Sequence, residues 1–141
     1  MKRILVIDDD VELRTMISEI LDHSGYETVQ APDGNEGMRL HRSRPADLVI
    51  TDIFMPEKEG METIRELKTL TPSLKIIAMS GGAQFLDKTQ ALHLVGLLGA
   101  DLTLPKPVVL AELLDWSSRV FWAKAQRYRS VNVFWGLYCS H

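Results

Sequence analysis

Three short apolar runs in this chain end in residues equipped for chemistry. Asp8-Asp9 follow Ile4-Leu5-Val6-Ile7, Asp52 follows Leu48-Val49-Ile50-Thr51, and Lys106 follows Leu102-Thr103-Leu104-Pro105. Runs of that length and composition read as buried parallel strands, which open at their C-terminal ends onto one edge of a sheet. The carboxylates and the ammonium then share a crevice. Carboxylates so placed repel one another unless a cation or a proton lies among them, which predicts a hard divalent metal held by Asp9 and Asp52, with Asp8 orienting it through water. A carboxylate beyond a rigid strand can also attack phosphorus and form an acyl phosphate. Lys106 would then act as a point charge on one phosphoryl oxygen. Ser80, at the end of a further apolar run, would offer its hydroxyl to another.

Taken singly, each of these residues has a plainer reading. Asp9 or Asp10 could cap a following helix, and Pro107 suits a helix's first turn. Ser80-Gly81-Gly82 could be a simple strand-to-helix turn, and Lys106 a solvated lysine. Capping explains Asp52 less well, because Met55-Pro56 intervenes before any helical periodicity. The conjunction carries the signal, since separate elements all place a phosphate-compatible group at the same edge.

The elements that must position them alternate along the chain. Ile4–Ile7, Tyr26–Gln30, Leu48–Thr51, Leu74–Met79 and Leu102–Leu104 read as strands. Helical spacing follows each: Val11 to Leu21 ending at Gly25; Met38 and Leu40 after a turn at Ala31 to Asn35; Met61 to Leu70 before Pro72; Phe85 to Leu98 before Gly99; and a last helix from Val108. Such βα units require right-handed crossovers, and so a parallel sheet with helices on both faces. The expected architecture is a flavodoxin-like, doubly wound, five-stranded sheet of order 2-1-3-4-5. In that order the first and third strands are adjacent, and the acids meet at the switch point.

At 141 residues, 45% apolar and 25% charged, the chain is expected to form one soluble globular domain. Its single cysteine, Cys139, cannot form an internal disulfide. The apolar run after Met1-Lys2-Arg3 is too short for a signal peptide and meets aspartates at once. No stretch is long and apolar enough to span a bilayer, and the expected location is cytoplasmic. The net charge of −3 is uneven, with 12 basic and 19 acidic groups in residues 1–118 and four basic groups and no acid from Arg119 onward. The expected organisation is therefore one domain over 1–118 and a basic, aromatic extension over 119–141. That extension is read as a helical continuation or a poorly ordered tail rather than a nucleic-acid-binding element.

As a set, Ile4 to Asp10, Asp52-Ile53-Phe54-Met55-Pro56 with Gly60, Met79-Ser80-Gly81-Gly82, and Gly99-Ala100-Asp101 leading to Lys106-Pro107 resemble the receiver domain of two-component response regulators. The resemblance covers roughly residues 2 to 118. It implies that Asp52 is the phosphoacceptor, that Asp8 and Asp9 are the acidic pair, and that the Phe54 backbone carbonyl completes a Mg²⁺ site. Ser80 and Lys106 would hold the phosphoryl group, and the Lys106-Pro107 bond would be cis. The implied partners are a sensor histidine kinase or phosphotransfer protein and a downstream protein, with a homodimer left open. Nucleic acid is not expected without a further domain. Signalling would follow from a conformational shift or onward phosphotransfer, with no enzymatic activity beyond the domain's own phosphorylation and dephosphorylation.

Three features depart from the common pattern. Thr103 stands where such domains usually carry Tyr or Phe, the segment from Ser80 to Lys106 is a few residues longer than in chemotaxis-type receivers, and Phe54 replaces a polar side chain. Phe54, with Gly82 offering no carboxamide or carboxylate to orient water, predicts slow self-dephosphorylation. Two other readings compete. Asp8-Asp9-Asp10 also matches the D-x-D start of the motif of haloacid-dehalogenase-type phosphatases, with Asp8 as nucleophile. That reading lacks a later acidic pair and leaves the Asp52 motif unexplained. The other is a phosphorylation-independent adaptor of the same fold, which Thr103 favours and the intact acids disfavour.

Overall fold

Strand β1 (Arg3–Ile7) turns Ile4 and Val6 to one side of the sheet and Leu5 and Ile7 to the other, and all four are buried. Apolar residues on both faces suit a strand covered by helices on both sides, so the hydrophobic runs are continuous rather than alternating. The computed structural model describes residues 1–53, 60–80 and 99–129, leaving aside the side chains of Ser80 and of residues 122–129. Within them β2 (Glu27–Ala31), β3 (Leu48–Asp52), β4 (Lys75–Ser80) and β5 (Leu102–Pro105) join β1 in one parallel sheet of order β2-β1-β3-β4-β5. This is the flavodoxin-like order expected from the sequence.

Helices α1 (Val11–His23), α2 (Gly34–Ser43), α3 (Gly60–Leu70) and α4 (Leu110–Arg129) pack on the sheet. Ile17 and Leu21 of α1 and Leu113 of α4 bury against Ile4, Val6, Ile50 and Ile77. Met38 of α2 and Ile64 and Leu67 of α3 bury against Leu5, Ile7, Val49 and Ile76. The helix expected over Phe85 to Leu98 lies outside the described residues.

Two helix starts differ in detail from the sequence reading. Asp33 caps α2 by accepting the Glu36 amide at 2.9 Å, so Gly34 and Asn35 form a first helical turn rather than part of a loop. The last helix begins at Leu110, after Val108 and Val109. It then runs through the change of charge near residue 118, and Val120 and Phe121 still pack on the core, with the Phe121 ring 5.4 Å from that of Tyr26.

The end of the sheet opposite the strands' C-termini is pinned by Asp101. Its Oδ2 accepts the Ile76 amide at 2.9 Å and the Lys68 ammonium at 3.2 Å, tying the starts of β4 and β5 to α3. On the α2–α3 side, His41 is 1% exposed and satisfied at both ring nitrogens. Nδ1 accepts the Ala46 amide at 3.0 Å, which leaves Nε2 to donate to the Thr71 hydroxyl, also at 3.0 Å. Burial, and then the charge of Arg3, hold this imidazole below the usual 6.5.

Protonation of His41 would put a proton on the nitrogen that accepts from Ala46. Between the depressed folded value and 6.5 the unfolded chain binds more protons, so the histidine's contribution to stability is complete above 6.5 and is lost as pH falls through the folded value. The urea midpoint is expected to drop on going below pH 6.5, in step with titration of the His41 ring followed by NMR. A ring midpoint at or above 6.5 would show this reading to be wrong.

Candidate functional site

The register of the sheet brings the chemical residues together. Ile7 pairs with Thr51, so Asp8 and Asp52 leave adjacent strands side by side. Asp52 in turn pairs with Met79, and Ser80 pairs with Pro105, directly before Lys106. Residues distant in sequence thus reach the C-terminal edge at the point where the strand order reverses, which is where open α/β sheets form their crevice.

Asp8 is fully buried and Asp52 nearly so, while Asp9 is exposed. A ligand oxygen from each of the three lies within 4.8 Å of the others. The Lys106 ammonium stands 2.9 Å from Oδ2 of Asp8 and 2.9 Å from Oδ2 of Asp52. Burial pushes the Asp8 carboxyl above the ordinary aspartate range, a trend reinforced by the charge of Asp52. The Asp10 amide, donating to Oδ1 at 2.9 Å, and Lys106 oppose that rise without cancelling it. Burial would pull the Lys106 ammonium down, but its hydrogen bonds and charge attraction to Asp52 and Asp8 outweigh burial and hold it above its usual value. The lysine therefore stays cationic between two acids.

Asp10 resolves one alternative left open by the sequence. Its side chain accepts the Leu13 amide at 3.2 Å and caps α1, so capping falls to Asp10 and not to Asp9. Asp9 keeps its carboxylate at the exposed mouth of the crevice. Two or three hard, anionic oxygens converging there suit a Mg²⁺-like ion, which prefers one or two carboxylates and keeps several waters. The donor set present fits such an ion.

Ser80 is placed by its backbone at the end of β4, one strand away from Asp52. Phe54 and its carbonyl, and Gly81 and Gly82, lie outside the described residues. The Lys106-Pro107 peptide is cis. Thr103 sits half-buried in β5, paired with Ala78.

One contact escaped the sequence reading. Arg14 of α1 donates from Nη1 to the Asp8 carbonyl at 2.7 Å and from Nε to the Gln30 side chain at 3.0 Å. In sequence it is one more polar position beside an apolar stripe. Only the docking of α1 directs it to the sheet edge.

An open, doubly wound sheet carrying an acid cluster and a bridging lysine at its switch point defines a CheY-like class of fold. The family model described as "Response regulator receiver domain" matches residues 4–116, and the chain belongs to that family. The chain is 33% identical over 131 residues to the transcriptional regulatory protein CpxR of Klebsiella pneumoniae, covering 90% of this chain and 54% of that protein. It is 36% identical over 112 residues to the response regulator MprA of Mycolicibacterium vanbaalenii, covering 79% and 47%. It thus spans about half the length of these curated relatives. Among solved structures it resembles a CheY-like receiver domain protein from Methanospirillum hungatei, with a TM-score of 0.82, 28% identity and coverage of 90% and 98%. It also resembles the chemotaxis protein CheY4 of Vibrio cholerae, with a TM-score of 0.77, 26% identity and coverage of 85% and 98%. Among the described residues no helix is long and apolar enough to cross a membrane.

Proposed function

We propose that this chain is a receiver that takes a phosphoryl group onto Asp52 from a histidine kinase, a phosphotransfer protein or a small phosphodonor. It passes the signal on by a conformational shift or by onward transfer. The observation that carries the reading is the Lys106 ammonium, 2.9 Å from both Asp8 and Asp52 beside three convergent acid ligands. A carboxylate oxygen of Asp52 forms the new bond to phosphorus as the donor's bond to phosphorus breaks, and the leaving group departs with that electron pair. Lys106 offsets negative charge on the transferred group, and Ser80 donates its hydroxyl to one phosphoryl oxygen. Asp8, Asp9, Asp52 and the Phe54 carbonyl would hold Mg²⁺, which when bound supplies charge neutralisation and orients the donor. Val11 and Val109, 60% and 59% exposed, neighbour these residues in sequence and offer apolar contact to a protein donor.

The receiver unit is read as residues 1–118, with 119–141 a basic, aromatic C-terminal extension, of which the described part, to Arg129, continues the last helix. Switching such a unit from a 1:99 to a 99:1 population takes about 5.5 kcal/mol, within reach of several charge-assisted hydrogen bonds to an acyl phosphate. The phosphatase reading fits less well. Asp10, its general acid, is engaged as the cap of α1, and both oxygens of Asp8, its nucleophile, are held by Asp10 and Lys106.

The test is incubation with acetyl phosphate and MgCl₂ followed by intact-mass measurement, with beryllofluoride binding read in parallel. One phosphoryl adduct that requires the metal is expected. Absence of both the adduct and the beryllofluoride complex would make the chain an adaptor that keeps the fold without the chemistry.

A further inference from the structure

We infer that Arg14 is a positioning residue for the metal site, acting through the Asp8–Asp9 peptide; the inference rests on the phosphoacceptor reading above. Four contacts hold Asp8. Its amide donates to the Ala31 carbonyl at 3.1 Å, and its carboxylate oxygens accept from the Asp10 amide and from Lys106, each at 2.9 Å. The fourth is the Asp8 carbonyl, which accepts from Arg14 at 2.7 Å. That carbonyl belongs to the planar peptide unit that ends at the Asp9 α-carbon, so fixing it fixes the direction in which Asp9 leaves the strand.

Asp9 needs this support more than its neighbours do. Asp8 is aimed by its own hydrogen bonds and Asp52 by its place at the end of β3, whereas Asp9 is exposed at the mouth of the crevice. The Arg14 guanidinium is itself held from a second side by Gln30, at the end of β2, so the fork spans α1, the Asp8 carbonyl and the sheet's edge strand. A planar guanidinium with several fixed donors can make both bonds at once; a lysine, with one flexible point charge, cannot reproduce the fork.

Two effects of Arg14 on a bound cation oppose each other, and they can be separated. As a charge it repels the ion, and removing it would tighten binding. As an anchor it holds Asp9 in place, and removing it would loosen binding. Outer contacts that orient ligands change metal affinity by about 10- to 100-fold when lost, whereas a half-exposed charge acting across solvent is strongly screened. Positioning is therefore expected to win.

The experiment titrates the whole chain with MgCl₂ and follows the amide signals of Asp9 and Asp52 by NMR, for the parent, Arg14→Lys and Arg14→Gln. Arg14→Lys keeps the charge and loses the fork, and its Mg²⁺ dissociation constant is expected to rise by about 10-fold with the metal-free urea midpoint unchanged. Arg14→Gln is expected to weaken binding as well, despite removing a cation. An Mg²⁺ affinity equal to or tighter than the parent's in both variants would overturn the inference. If the parent itself shows no saturable Mg²⁺ response, it is the metal-dependent reading of the site that fails. Arg39→Lys, on an exposed α2 pair with Glu36, serves as the control and should leave the affinity unchanged.

Discussion

Asp52→Asn is expected to give no phosphorylated species under conditions that label the parent fully. The substitution is nearly isosteric and keeps an oxygen within reach of the Lys106 ammonium, now 2.9 Å from Asp52, so the fold and the end of β3 should persist. What it removes is the anionic oxygen that the proposed reaction joins to phosphorus. Asp8→Asn is the matched comparison. It keeps Asp52 and can still accept the Asp10 amide, but it takes a negative charge from the cluster that would hold the metal. Labelling by acetyl phosphate should then slow by on the order of 10- to 100-fold, the cost of disturbing groups that orient a metal's ligands, without being lost. Intact-mass measurement over a time course reads both variants. An adduct that survives Asp52→Asn and vanishes in Asp8→Asn would assign the nucleophile to Asp8 and restore the phosphatase reading.

The second large effect is steric. A methyl group at Gly60 would overlap the Asp52 carbonyl oxygen and lie 2.6 Å from the Ile53 α-carbon and 2.8 Å from the Asp52 carbonyl carbon. All three are backbone atoms, so no side chain can turn aside. The Gly60 amide also donates to the Ile53 carbonyl at 2.7 Å, which fixes the start of α3 against the end of β3. Gly60→Ala is therefore expected to cost about 3 kcal/mol or more in urea unfolding, at or beyond the upper end for overpacking. It should also lower labelling at Asp52, because the strain falls on that residue's own peptide. Gly37 is the internal standard. There an added methyl meets side-chain atoms of the buried Ile7, its Cδ1 nearest, and no backbone, so repacking can relieve it and Gly37→Ala should cost about 1 kcal/mol. If the two variants unfold at the same urea concentration, close backbone approach is not what Gly60 provides.

Much of this molecule is legible in its sequence. Ile4–Ile7 and Leu48–Thr51 read as buried strands because each is covered on both sides, and a run apolar at every position leaves little else for a short segment to be. The same reasoning put Asp8, Asp9, Asp52 and Lys106 at one edge, since parallel strands all end on the same side. Turn chemistry was a weaker guide. Pro32-Asp33-Gly34-Asn35 has the composition of a loop, yet the Asp33 side chain captures the Glu36 amide and starts a helix at Gly34. Local composition does not say whether an aspartate will cap or turn.

The sequence by itself determined the order of elements, the doubly wound class and the cast of acids with their lysine, because these follow from local periodicity and from the geometry of parallel crossovers. Tertiary structure decided which residues meet. Lys106 lies 98 positions from Asp8 and meets it at 2.9 Å, Asp10 rather than Asp9 faces the first turn of α1, and Gly60 abuts the Asp52 peptide. Arg14 reaches the Asp8 carbonyl, and His41 joins Ala46 to Thr71. These pairings depend on the rotation and docking of helices against the sheet, which packing of the whole core sets and no short window of sequence encodes.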